Sequence, residues 1–402
     1  MSVRLLSLLL ALLLLLTACG KAPAENPHPV ENRAPSHNDT APIPEPPKMP
    51  EAPILTEKEL AVEGLLAQMT LAEKVGQLFF VRCPAENAVA DVSDCHLGGY
   101  LLFGRDFKDG SDNYLTREQF TQTVASYQNA TAIPLLIGVD EEGGTVARAT
   151  RNPHLFPAKR QSPQRIYAAG GEAAIVEDAR TVNAGLLDIG INVNFAPVAD
   201  VSTNANDFIY ARSFGYDAAA TANYTAAVVD AMSETGIGSV LKHFPGYGNN
   251  VDTHTGIAVD ERPYEQFTNE DFQPFLTGIA EGDGKTSVLV SHNIVTCIDA
   301  DLPASLSPEV HRILRQELGF DGVILTDDLA MDAVEAYAAD GSVAVLAILA
   351  GNDMIVTTDY RTQIPLVISA VETGEISQEL IDAAVRRVLG WKYELGLLNA
   401  NN

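Results

Sequence analysis

The 402-residue chain is short of basic residues and of cysteine, and it has no long hydrophobic run. Lys and Arg total 26 against 53 Asp and Glu, a formal net charge of −27. No basic stripe exists to neutralise phosphates, which argues against nucleic acid as a partner. The balance fits an exported, soluble body with a neutral or cationic substrate. The one sustained apolar run, Leu5–Leu16, is interrupted only by Ser7. It is too short for a membrane span of about 20 residues and, with Arg4 before it, reads as a targeting segment. The four cysteines are Cys19, Cys83, Cys95 and Cys297, none in a metal-ligand spacing. Without Cys19 an odd number remains, so at least one thiol stays free, while Cys83 and Cys95 are near enough in sequence either to pair or to stay apart. A Gly-rich phosphate turn after the first strand is also missing, since Arg82-Cys83-Pro84 follows instead. That weighs against an open doubly wound nucleotide-binding sheet.

The targeting run ends Leu16-Thr17-Ala18-Cys19-Gly20. Small residues before a cysteine resemble a bacterial lipoprotein cleavage box. Residues 1–18 are then a signal peptide, and Cys19 is the lipidated residue that anchors the protein outside the cytoplasm. Residues 19–55 follow as a tether, with ten of the 22 prolines between residues 20 and 54. At about 3.1 Å per residue, a polyproline-like segment of this length reaches on the order of 100 Å.

Residues 56–398 read as one α/β domain. Glu57–Met69 has helical spacing, and Thr70-Leu71-Ala72-Glu73 is a capping box that opens a further turn. Short apolar runs predict strands at Val75–Val81, Gly99–Phe103, Pro134–Val139, Asn192–Val198, Ser239–His243, Ser287–Ser291, Val323–Thr326 and Asp353–Val356. Helical patterns separate most of them, among them Glu118–Tyr127, Ala173–Leu187, Ala218–Glu234 and Pro308–Leu318. Alternation of this kind makes the strands parallel, and eight such units close into a (β/α)8 TIM-type barrel. An amphipathic helix, Gln378–Leu395, ends the domain and leaves no room for a second one.

Chemistry-bearing residues gather where apolar strands end, which is where this fold builds its sites. The densest stretch is Lys242–His254, KHFPGYGNNVDTH, in which a strand delivers Lys242 and His243 to a loop broken by Pro245, Gly246 and Gly248. The two glycines read as hinges of a mobile loop. Asp252, two residues before His254, can accept its N–H, fix its tautomer and raise its basicity. Asp140 and Glu141-Glu142 end the third strand, Asp200 follows the fourth, His292 ends the sixth, and Asp327-Asp328 end the seventh. One of that last pair is free to cap the next helix.

The Lys242–His254 stretch resembles the signature of bacterial family-3 β-N-acetylglucosaminidases: Lys-His, an apolar residue, Pro-Gly, a short loop, then Asp-Ser/Thr-His. The segment MTLAEKVGQLFF, from Met69 to Phe80, resembles the start of the same catalytic domain. The likeness runs from about Thr56 to Leu398. It departs at Tyr247, where relatives often carry histidine, and in a loop before Asp252 that is one residue short. The resemblance implies a retaining glycosidase. Asp327 would be the nucleophile, leaving the capping role to Asp328. His254 would be the acid/base, oriented by Asp252, with Glu141 or Glu142 as the alternative proton source. It implies that Asp140, Arg148, Arg212, Lys242 and His243 bind the sugar. Two-domain relatives carry their acid in the second domain, so here the barrel has to supply it. The expected reaction is exo-hydrolysis of a terminal β-linked GlcNAc from cell-wall fragments, by a monomer, with no metal or cofactor. The alternatives are a family-3 β-glucosidase, a phosphorolytic relative, or a non-catalytic sugar-binding lipoprotein.

Overall fold

The computed structural model describes residues 55–250, 258–331, 334, 337 and 342–398. The expected signal peptide, nearly all of the expected tether with Cys19, and the pair Asp252 and His254 lie outside the described residues.

Eight parallel strands form the central sheet, here numbered β1 to β8 in chain order. They are β1 (Phe79–Arg82), β2 (Gly99–Leu102), β3 (Leu136–Val139) and β4 (Val193–Asn194), then β5 (Gly238–Phe244), β6 (Thr286–Val290), β7 (Ile324–Thr326) and β8 (Ile355–Thr357). From β1 to β7 each strand pairs with the next in sequence, and β8 pairs with β1. A parallel bridge between Leu325 and Met354 brings the two remaining edges together. This is the expected α/β barrel. Two of the predicted strands differ in extent. Val75–Gln77 is the end of a helix, Leu71–Gln77, whose Thr70/Glu73 capping box is formed, so β1 starts only at Phe79. The apolar run Asn192–Val198 contributes just two strand residues before cis-Pro197 turns the chain. A separate two-stranded pair, Val259–Asp260 with Ile294–Val295, was not evident from the apolar runs.

Helices cover the outside because their apolar faces need the sheet. Ala218–Thr235 shows how local chemistry sets their limits. The Asp217 carboxylate accepts from the Ala220 N–H at the start, and Gly236 closes the end at φ 84°. Inside the barrel, Phe80 and Phe195 meet edge to face at 5.1 Å between centroids. Gly138 on β3 makes room for them. A Cβ there would lie 2.7 Å from both Phe195 Cε2 and Phe80 Cζ. Cys83, Cys95 and Cys297 are all free thiols, so the question left open for Cys83 and Cys95 is answered.

Two glycine substitutions are expected to act with opposite sign. Gly138→Ala overfills the barrel and should cost about 1–3 kcal/mol. Gly64→Ala, inside the helix Glu57–Leu66, adds a Cβ that meets nothing within 4 Å. It should stabilise by about 0.5–1 kcal/mol. Chemical denaturation of the two variants checks both; equal shifts would contradict this account of the core.

Candidate active site

The carboxyl ends of the strands surround a cavity of about 390 Å³. Its walls include Asp140, Arg148, Arg212, Lys242, His243 and Asp327, six residues that lie at or beyond the ends of four different strands. Leu101, Phe195, Leu289 and Val356 contribute apolar surface.

A connected ion cluster fills one side. Lys242 Nζ lies 2.7 Å from Asp140 Oδ1 and 2.7 Å from Glu142 Oε1. Arg212 grips the same Glu142 with both arms of its fork, at 2.9 Å from Nε and 2.7 Å from Nη2. Burial pushes the Glu142 carboxyl up, but Arg212 and Lys242 outweigh it and hold it well below the usual carboxylate range. Burial would likewise lower the pKa of Lys242, and Asp140 and Glu142 reverse that and raise it. Glu142 is therefore a fixed anion and a poor proton donor. Glu141 is also committed, since it is fully buried and accepts from the Arg148 and Thr150 N–H groups and the Thr150 hydroxyl. Neither fits the alternative proton source considered from the sequence.

His243 is locked between two partners. Its Nδ1 lies 2.7 Å from Asp200 Oδ2, and its Nε2 lies 3.2 Å from Arg212 Nη2. Arg212 can only donate, so Nε2 accepts and the proton sits on Nδ1. Asp200 also accepts from the His243 N–H at 3.1 Å and the Tyr247 N–H at 2.7 Å. Tyr247, the departure noted in the sequence, is buried edge-on against the His243 ring.

Gly246 and Gly248 have a reason other than hinging. A Cβ on Gly246 would come within 2.2 Å of Asp271 Oδ1, and one on Gly248 within 2.4 Å of Arg262 Cζ. Arg262 pairs with Asp260 at 2.8 Å and with Asp271 at 2.9 Å. Burial pushes the Asp271 carboxyl up to about 7, although Arg262 works against that. Asn250 donates to Asp260 Oδ2 at 2.7 Å. The loop up to Asn250 thus lies directly on a buried ion cluster, which requires glycine at both contacts.

Asp327 ends β7. Its N–H donates to the Val290 carbonyl and its Oδ1 accepts from the Asp328 N–H. Asp328 Oδ1 in turn accepts from the Ala330 N–H across a turn. His292 turns its ring to Ser305 and to the Asp328 carbonyl, outside the cavity lining. Among the described residues no group of three His, Cys, Asp or Glu is placed to hold a metal ion. Arg82, Phe103, Met331 and Thr358 also line the cavity and were not singled out from the sequence. Arg82 and Phe103 were met there only as residues at the ends of the first two predicted strands.

A polar cavity at the carboxyl face of a parallel barrel, dense in paired donors and acceptors, defines a barrel enzyme suited to a hydroxyl-rich ligand. The profile of the Glycosyl hydrolase family 3 N terminal domain matches residues 70–390, and the chain belongs to that family of glycoside hydrolases. A β-hexosaminidase of Xylella fastidiosa (strain 9a5c) is 32% identical over 305 residues, 75% of this chain and 88% of its own. A solved β-N-acetylglucosaminidase from Paenibacillus sp. str. FPU-7 superposes with a TM-score of 0.73 at 31% identity, over 82% of this chain and 63% of that one. The β-N-acetylhexosaminidase of Beutenbergia cavernae DSM 12333 gives 0.71 at 30%, over 81% and 99%.

Asp200→Asn is expected to lower kcat/KM for an aryl glycoside by about tenfold or more, since hydrogen bonds to a charged group contribute about 1.5–3 kcal/mol. Steady-state kinetics check it. An unchanged kcat/KM would remove Asp200 from the support of His243.

Proposed function

We propose that the protein is a retaining exo-β-N-acetylglucosaminidase that removes terminal β-linked GlcNAc from cell-wall-derived saccharides. The observation that carries this reading is the gathering of Asp327 with the Asp140–Lys242–Glu142–Arg212 cluster in one cavity. The names of the relatives supply the sugar. Asp327 is the nucleophile and forms the glycosyl-enzyme. His254, oriented by Asp252, protonates the departing oxygen and then activates water. Asp140, Arg148, Arg212, Lys242 and His243 bind the sugar. The ion cluster gives these groups fixed positions before substrate arrives, so little reorganisation accompanies the reaction. None of these steps calls for a metal or cofactor. The mature protein is a monomer held to the outer face of a bacterial membrane through Cys19 and the tether of residues 19–55.

Asp327→Ala is expected to abolish turnover with an unchanged unfolding midpoint, and a 2-fluoro sugar should label Asp327 in the wild type. Label on Asp328 or Asp140 would overturn the assignment. His254→Ala should lose about 10²–10⁴-fold on a disaccharide and far less on a nitrophenyl glycoside, whose leaving group needs little protonation. An unchanged dependence on leaving-group pKa would remove His254 from the role.

Anchoring is tested separately. Cys19→Ser should move the protein from the membrane fraction to the soluble one. A variant that is processed at the same place and stays membrane-bound would sink the lipoprotein reading.

A further inference from the structure

The charge of the whole chain points to a neutral or cationic ligand, yet one wall of the cavity has the opposite sign. Arg82 ends β1, Arg148 lies beyond β3, and both face Phe103, the residue after β2. Their guanidinium carbons lie 4.1 and 5.8 Å from the ring centroid. The Nε of each is buried and has no hydrogen-bond partner. Among the described residues neither guanidinium enters a salt bridge. The ion pairs of the cavity run instead through Arg212, Lys242 and His243.

The same wall continues outward. Arg148 also lines a groove of about 290 Å³ together with Arg105, Lys108, Asp112 and Arg151. Lys108 is paired with Asp112 at 2.7 Å and Arg105 with Asp106 at 3.3 Å. Arg151 spends its donors on the carbonyls of Ala147 and Thr145. Among the described residues Arg82, Arg148 and Arg151 therefore enter no ion pair, although Arg82 acts through space on the Asp106 carboxylate that pairs with Arg105.

This is an unusual arrangement for a chain with twice as many acids as bases. A partly buried cation with unmet donors is costly unless something else supplies the acceptor. The Phe103 ring faces both guanidinium groups without using any N–H, which leaves the forks available. A guanidinium fork matches two oxygens of one carboxylate or phosphate better than it matches a lone hydroxyl.

We propose that Arg82 and Arg148 form a subsite for an oxyanion, a carboxylate or a phosphate, and that Arg82 sets the preference for it. The proposal rests on the reading of the cavity as the sugar site. The oxyanion is carried by the substrate or is a free inorganic ion, and the test separates the two.

The measurement is the ratio of kcat/KM for an anionic substrate to that for its neutral parent, in wild type and in Arg82→Met. One pair is the 4-carboxyphenyl and phenyl β-N-acetylglucosaminides; the other is the 4-nitrophenyl glycoside with and without a 6-phosphate. Inorganic phosphate is titrated as an inhibitor alongside. Loss of a charge-assisted contact should lower a ratio, or weaken phosphate inhibition, by about 10- to 100-fold. Arg82→Lys, which keeps the charge without the fork, should fall between. A drop in the first ratio puts the anion on the leaving group, and a drop in the second puts it on the terminal sugar. An effect on inorganic phosphate alone marks a free ion. If Arg82→Met weakens neutral and anionic substrates equally and leaves phosphate inhibition intact, the contact is to hydroxyls and the proposal falls. Should the wild type cleave none of these glycosides, the functional reading fails. Calorimetric binding of phosphate to wild type and Arg82→Met then still decides the subsite. If Arg82→Met does not fold, Arg82→Gln takes its place.

Discussion

Four charges that cannot stand alone hold the mouth of the barrel together. Asp140 and Glu142 follow β3, Arg212 follows β4, and Lys242 belongs to β5, so their ion pairs tie three neighbouring strand ends into one rigid wall. Removing any one member would strand a buried charge, which costs far more than an exposed pair contributes. The rest of the site depends on this cluster. Arg212 turns from Glu142 to His243 Nε2 and thereby sets its tautomer. Asp200 completes the hold on that ring and on the Tyr247 backbone.

A second cluster supports the first from behind. Arg262 bridges Asp260 and Asp271, and the Phe244–Asn250 loop lies across it at Gly246 and Gly248. Asp260 reaches forward to Asn250, and its backbone carbonyl accepts from Thr296 after β6. The loop that leads toward residues 252–254 is thus fastened by charge and close backbone approach. That is a different physical basis from the hinge motion suggested by two glycines in a row of polar residues.

The excess of acid over base says little about the cavity. Net charge is a sum over the surface, whereas a ligand meets only the groups within a screening length of about 8–10 Å. Inside that distance the cavity holds paired charges on one wall and, on the other, two guanidiniums that enter no ion pair among the described residues. Local sign and global sign are independent quantities here.

Much was legible in the residues themselves. Short apolar runs alternating with helical spacing specify a parallel barrel, because period and length decide which face each segment must bury. The same logic puts Asp140, Lys242, His243 and Asp327 at strand ends, and the capping box at Thr70 marks a helix start that the structure keeps. Strand limits were less legible. Val75–Gln77 is apolar enough for a strand but lies within the turn that this capping box opens, and local hydrogen bonding won. What only the tertiary structure decided is which charge meets which. Glu142 could be a proton donor on paper, yet Arg212, 70 residues away, and Lys242 make it a fixed anion. Arg82 looked incidental until β1 was set beside β2 and Phe103 came under its guanidinium. Hydrophobic periodicity is a local property of the chain and can be read along it. Ion pairing depends on distances of a few ångströms between residues far apart in sequence, and only the closed barrel brings them that near.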